Sequence, residues 1–241
     1  MKADKEKNMA AHDTLARSGP ARLSLMPTRV AGWSGLAMLL AIIVNGPLSA
    51  LRGLPDYWTV GAAADIATYL ADPPRLRLAV LFFFLSTLIF VFGMPFVAGL
   101  RLALRAHGSS DLFSSVLAIG AGLFFAGGLV SEVMSTGMAT VVLAAPSYVP
   151  DANAALAVQA LQFAALLQGQ VGLGVAILAV SVAMWRAAGW RAVATVGLVA
   201  GAIDLARPLA VAMPVLAIAL FVPTFVWIAL ASLRLIRADA R

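Results

Sequence analysis

Residues 78–100, LAVLFFFLSTLIFVFGMPFVAGL, contain no charged side chain. A helix of this length measures roughly 35 Å, which is enough to cross the roughly 30 Å hydrocarbon core of a bilayer. Gly93 and Pro95 interrupt the apolar run near its end. The stretch therefore predicts a membrane-spanning helix that is broken late.

The rest of the chain has the same character. Hydrophobic residues make up 62% of the 241 residues, charged residues make up 12%, and the mean hydropathy is +0.95. A soluble domain carries roughly 25% charged residues, so this chain lacks the polar groups needed to cover a water-exposed surface. We therefore predict an all-α, polytopic transmembrane bundle whose main partner is the lipid bilayer.

The apolar runs predict about six spans. The run at 112–145 would form a helix of roughly 50 Å, so it either tilts and protrudes or bends near Gly127 and Gly128. The last run, 192–235, is long enough for two spans. Its hairpin turn is expected between Ala206 and Pro214, a segment that contains Arg207 and two prolines. The predicted spans are about 31–50, 78–100, 113–143, 155–185, 192–207 and 214–235.

Two segments lie outside these spans. Residues 1–29 are polar and basic without apolar periodicity, which predicts a disordered cytoplasmic tail. This tail is long for a signal peptide, so we expect the first span to remain uncleaved. Residues 61–72 have Ala62, Ile66 and Tyr69 at helical spacing, which predicts a short extracytoplasmic helix on the membrane surface. The main domain is therefore 30–236.

The distribution of basic residues predicts the orientation. With both termini inside, four of the 17 Lys and Arg residues lie on the outer side, and all the others lie in cytoplasmic segments. The outer four are Arg52, Arg75, Arg77 and Arg207. This bias follows the positive-inside rule. Both ends are therefore predicted to be cytoplasmic.

Several function classes have no support in the sequence. There are no cysteines, and His12 and His107 both lie outside the apolar runs, so thiolate chemistry and a membrane-buried bis-His haem have no ligands. The basic residues form no aromatic-interleaved face, so no nucleic-acid partner is expected. Hydrolase, metalloprotease and phosphate-loop motifs are absent. We predict no catalytic residue, no metal, no cofactor and no enzyme activity, and leave self-association or a membrane partner open.

Charged residues inside spans are costly and mark candidate sites. Asp204 and Arg207 are three residues apart at the end of the fifth span, so they share a helix face. One interpretation is a self-neutralised pair at the outer interface. In the other, Arg207 presents its cation to an anionic ligand while Asp204 holds it in place.

Glu132 is expected in the outer half of the third span. The fourth span is its antiparallel neighbour and offers Gln159 and Gln162 one turn apart. In one interpretation, the glutamines satisfy Glu132 and fix the helix register. In the other, Glu132, Gln162 and Arg207 line an outward-opening polar cavity for a small solute or a proton.

Three segments carry a resemblance to a known family: the short first span with its tryptophan, the stretch GAAADIATYLADPPRLRLAVLFFFLSTLIF at 61–90, and AGWRAVATVGLVAGAIDLA at 188–206. Over roughly residues 30–235 the chain resembles an uncharacterised bacterial family of six-helix membrane proteins, known only as a domain of unknown function. The resemblance implies a bacterial inner-membrane location and six spans. It transfers no site residue.

These features predict an integral inner-membrane protein that binds a small ligand in an outer-side polar cluster of Glu132, Gln162, Asp204 and Arg207. The alternative is a secondary transporter or permease component that uses Glu132 for proton coupling.

Overall fold

The computed structural model describes residues 25–53, 61–210 and 220–237. The described residues form seven α-helices and one short 3₁₀-helix. These are α1 Leu25–Arg52, α2 Ala62–Leu70, α3 Pro73–Ala106, α4 Asp111–Ala144, α5 Ala152–Met184, α6 Arg191–Ala206, the 3₁₀-helix Arg207–Ala210 and α7 Val222–Arg237. The predicted α-helical membrane bundle is therefore confirmed.

Five segments of the described chain are long and apolar enough to cross a membrane, and they belong to α1, α3, α4, α5 and α6. They correspond to the first five predicted spans, and α1, α3 and α4 extend beyond the predicted ends. The sixth prediction, 214–235, overlaps α7, but its first residues lie outside the described chain. The hairpin turn expected after Ala206 begins as a 3₁₀-helix, and residues 211–219 are likewise outside it.

Large apolar side chains on every long helix face outward. The exposed fraction of the residue is 62% at Leu40, 64% at Phe84, 63% at Ile119 and 53% at Val199. Exposure of so much apolar surface would be unfavourable in water, whereas lipid chains solvate it. The bundle is thus built for a hydrocarbon surrounding.

Six helices close into a ring in the order α1, α3, α4, α5, α6, α7 and back to α1. Its interior holds the main apolar core, which includes Leu100, Leu117, Ile177 and Trp227. A small cavity of about 30 Å³ inside the ring is bordered by apolar side chains and by Trp227. The centre of the ring is therefore apolar.

Glycines set how closely α4 and α5 approach. A Cβ atom added at Gly120 would lie 2.6 Å from the carbonyl oxygen of Gly172, and one added at Gly127 would lie 2.6 Å from that of Ala165. Only residues without a side chain allow this backbone contact. α4 is one helix from Asp111 to Ala144, so the helix is not interrupted at Gly127 and Gly128.

The short helix α2 packs on the bundle. Its buried residues Ile66, Tyr69 and Leu70 form a second apolar cluster with Leu76 and Ala79 of α3, Ala139 of α4 and Ala155 of α5. The helix was expected over 61–72 on the membrane surface, and it is found over Ala62–Leu70. It covers the end of the bundle at which α4 ends and α5 begins.

The predicted tail overlaps the described chain only at its end. Residues 25–29 belong to the first turns of α1, where Pro27 suits the fixed φ of a helix start. The preceding part of the tail lies outside the described residues.

Candidate functional site

A buried ion pair joins α6 to its neighbours. Arg207 Nη2 lies 2.5 Å from Asp204 Oδ1, and Thr224 Oγ1 donates a 2.9 Å hydrogen bond to Asp204 Oδ2. Arg207 Nη1 donates to Gln170 Oε1 at 2.6 Å, and the guanidinium carbon lies 3.6 Å from the centre of the Phe221 ring. We call these five residues the Arg207 cluster; they come from α5, α6, the 3₁₀-helix, the residue before α7 and α7 itself.

The Arg207 cluster lies level with the middle of α5. At about 1.5 Å per residue, Gln170 is roughly 27 Å from the start of α5 and roughly 21 Å from its end. This position follows because α5 is a 33-residue helix, whereas α6 has 16 residues and ends beside the middle of α5. The expected location of the pair at the outer interface stays a prediction.

The Arg207 cluster is closed. Asp204 is 0% exposed and Arg207 is 3% exposed. Arg207 Nη2 also donates to the carbonyl oxygen of Leu220 at 3.0 Å, which ties the end of α6 to the residues just before α7. Removing charges from water is offset only when partners satisfy them. The geometry therefore matches the paired arrangement of Asp204 and Arg207, and binding of an anion there stays a prediction.

Glu132 lies level with Gln162. Gly127 of α4 faces Ala165 and Gly169 of α5, and these helices run antiparallel. Five residues further along α4, Glu132 is therefore opposite residues 160–164. Both side chains are partly buried. The hydroxyls of Ser135 and Thr136, which share the face of Glu132, donate to its backbone carbonyl oxygen at 3.0 and 2.7 Å.

A second polar pair lies at the same height on the other side of α4. Gly128 packs against the ring of Phe90, so one turn further Glu132 comes level with Ser86 of α3. Ser86 is buried, and it accepts a 2.9 Å hydrogen bond from Asn45 Nδ2 of α1. Four helices thus contribute polar residues to one level of the bundle, which we call the outer polar layer: Asn45, Ser86, Glu132 and Gln162.

A cleft opens beside this layer between α2, α4 and α5. It is narrow, with about 30 Å³ of space for water-sized groups. Its polar lining is Gln159, Gln162, Ser135 and Tyr69. Its apolar lining is Ile66, Leu70, Met134, Met138, Ala139, Ala155 and Val158. Amide and hydroxyl groups among apolar walls are typical of sites that bind small molecules.

The four predicted site residues therefore form two groups. Asp204 and Arg207 are brought together in the Arg207 cluster, whereas Glu132 and Gln162 are level in the outer polar layer. Gln162 and Gln170 are roughly 12 Å apart along α5, so the two groups are separate. Among the described residues, no three His, Cys, Asp or Glu side chains are close enough to hold a metal ion.

Sequence reasoning missed the partners that come from distant helices. Thr224, Asn45 and Ser86 were not singled out, because an isolated hydroxyl or amide in an apolar run is common. Gln170 was not assigned to a site. The sequence did contain one indication of its role, because a buried pair such as Asp204 and Arg207 requires further polar partners on a helix that packs against α6.

Together, the apolar ring of long helices and the two polar groups inside it define a multi-pass α-helical membrane protein. No family model, curated protein or solved structure matches the chain.

Proposed function

We propose that this protein lies in the inner membrane of a bacterium, with both termini in the cytoplasm, and binds a small ligand in the cleft between α2, α4 and α5. Membership of the six-helix family that the sequence resembles is part of the proposal. The observation that carries it is the lining of the cleft, where Gln159, Gln162 and Ser135 are set among apolar side chains.

The lining indicates the chemistry of the ligand. Amides and hydroxyls are neutral groups that both donate and accept hydrogen bonds. A polar group of the ligand is buried at low cost only when it is hydrogen-bonded, so the ligand's polar groups should match this lining, as an amide, a hydroxyl or a carbonyl does. Met134, Met138 and Leu70 would contact its apolar part. We therefore expect an uncharged amphiphile.

Binding is favoured over passage through the bundle. Toward the other end from the cleft, α4 and α5 approach backbone to backbone at Gly127 and Gly169 and again at Gly120 and Gly172. This contact leaves no path between the two helices. The cavity inside the ring is bordered by apolar side chains and Trp227, so it offers few polar groups to a solute.

Cysteine accessibility tests whether the cleft is open. The chain has no cysteine, so Gln162→Cys and Leu161→Cys can be made singly in the natural background. Leu161 is adjacent in sequence and 57% exposed on the lipid-facing surface. We expect a charged thiol reagent to modify Gln162→Cys and to leave Leu161→Cys unmodified. Equal resistance of both variants would contradict an open cleft.

Native mass spectrometry tests occupancy. Protein released gently from the membrane should retain a small-molecule mass, and Gln159→Leu with Gln162→Leu should lose it. Gln168→Leu is the matched control, because Gln168 is exposed on the same helix. Retention of the mass in the double variant would place the ligand elsewhere. A wild-type protein without any bound mass would reject the proposal.

The outer polar layer supports a second candidate, a secondary transporter or permease component with proton coupling at Glu132. The supporting observation is a partly buried carboxyl level with Gln162 and Ser86. Glu132→Gln should then abolish solute-dependent proton uptake into liposomes that contain a pH dye, without loss of folded protein. Unchanged uptake by this variant would reject the candidate.

A further inference from the structure

At the opposite end of the bundle from the cleft, Arg234 of α7 is held against the turn between α5 and α6. Its Nη2 donates a 3.4 Å hydrogen bond to the carbonyl oxygen of Ala188. The guanidinium lies over Gly189, where an added Cβ would be 2.6 Å from Nη2. Gly189 has a φ of +78°, so the turn also requires a glycine for its backbone. The position of the guanidinium is therefore fixed by the fold.

Arg234 retains unused hydrogen-bonding capacity. A guanidinium has five N–H donors, and only Nη2 makes a hydrogen bond within the described chain. Its Nε is buried without an acceptor. No carboxylate lies within ion-pair distance of it among the described residues. Arg234 is thus a positioned cation whose outer edge can bind an anion.

The surroundings of Arg234 are basic. Arg186 and Arg191 flank the turn and Arg237 lies one turn further on α7, all three exposed. Residues 184–196 and 222–237 contain no Asp or Glu. An anion at Arg234 would therefore meet several positive charges and no nearby negative charge from either segment.

Apolar side chains close in sequence to the arginines are exposed. The exposed fraction is 42% at Trp185, 52% at Val182 and 39% at Leu233. Tryptophan prefers the level of lipid headgroups, and aliphatic side chains contact acyl chains. Arginines and exposed apolar side chains thus occur in the same two segments of the chain.

We propose that the face formed by Arg186, Arg191, Arg234 and Arg237 binds the phosphate of an acidic glycerophospholipid, with Arg234 as its fixed contact. Arginine suits phosphate because its planar fork forms paired, charge-assisted hydrogen bonds. Basic pockets between transmembrane helices are known to bind lipid headgroups. The lipid is favoured over free phosphate because exposed apolar residues lie in the same segments as the arginines.

A substitution that keeps the net charge distinguishes binding at a positioned Arg234 from nonspecific electrostatic attraction to the basic residues. Gly189→Ala keeps every charge and displaces the Arg234 guanidinium. Gly108→Ala is the matched control, since Gly108 has a φ of +69° in another turn and an added Cβ would meet nothing within 4 Å. The measurement is phosphatidylglycerol binding to the full chain by native mass spectrometry, relative to phosphatidylcholine. We expect Gly189→Ala to lose the preference for phosphatidylglycerol and Gly108→Ala to keep it.

Charge substitutions give the second test. Arg234→Gln and Arg237→Gln should each weaken phosphatidylglycerol binding on the order of five-fold, whereas Arg77→Gln, at the other end of the bundle, should not. Unchanged affinity in both Arg234→Gln and Gly189→Ala would overturn the site. Equal stabilisation of the wild type by inorganic phosphate alone would overturn the lipid assignment, since the acyl chains would then contribute nothing.

Discussion

Asp204 and Arg207 repeat, inside the bundle, the same three-residue spacing that Asp72 and Arg75 have at its surface. The inner pair is separated by 2.5 Å with side chains 0% and 3% exposed, whereas the outer pair is separated by 3.0 Å with side chains 36% and 49% exposed. The two pairs differ in burial far more than in geometry. A comparison of the two pairs therefore shows how much burial changes the contribution of an ion pair to the stability of this protein.

Asp204→Asn should destabilise the protein strongly. It leaves the Arg207 charge buried without its counter-ion, and removing one partner of a buried pair costs about 3–5 kcal/mol. Arg75→Gln, which breaks the exposed pair, should cost less than about 1 kcal/mol. Denaturant-induced unfolding in detergent measures the decrease in the free energy of unfolding for both variants. Similar small losses for the two variants would show that water reaches the Arg207 cluster.

Gln170→Leu should also be destabilising. Arg207 Nη1 would lose an acceptor at 2.6 Å, and a hydrogen bond to a charged group contributes about 1.5–3 kcal/mol. Gln168→Leu serves as the control, because Gln168 is exposed two positions earlier on α5 and the substitution should change stability by no more than about 0.5 kcal/mol. The thermal midpoints of both variants in the same detergent give the comparison. A smaller loss for Gln170→Leu than for Gln168→Leu would contradict the assigned hydrogen bond.

The sequence predicted the fold class because it depends on composition and run length. A chain with 12% charged residues and a charge-free stretch at 78–100 cannot be stable as a soluble domain. The order of helices in the ring could not be predicted in the same way. An apolar helix face is equally compatible with lipid and with another helix, so apolar periodicity does not indicate which face is buried.

The candidate site was predictable to the extent that it is local. Asp204 and Arg207 pair because they are one turn apart on one helix. Thr224 and Gln170 join them only because of the register between α5, α6 and α7, which close contacts such as Gly174 with Gly201 fix. The short connection between α4 and α5 predicted that Glu132 and Gln162 lie on neighbouring antiparallel helices. Which residues of the two helices are level with each other is known only from the contact of Gly127 with Ala165.

Gly127→Ala should weaken the packing of α4 on α5. The added methyl group would lie 2.6 Å from the carbonyl oxygen of Ala165 and 2.8 Å from the Cα of Gly169, and backbone atoms cannot move aside as a side chain can. Overpacking of this kind costs about 1–3 kcal/mol. The control is Gly122→Ala on the same helix, where an added Cβ meets nothing within 4 Å. That variant should be as stable as the wild type or more stable, since alanine favours helix by up to about 1 kcal/mol.

Single cysteines test the predicted orientation. Ser110 and Ser147 are exposed in the α3–α4 and α4–α5 connections, and α4 between them is long enough to cross the membrane. If both termini are cytoplasmic, a membrane-impermeant maleimide added to spheroplasts should label Ser147→Cys, and should label Ser110→Cys only after permeabilisation. The cysteine-free wild type provides the unlabelled control. The reverse pattern would invert the topology, and labelling of both from outside would show that α4 does not span the bilayer.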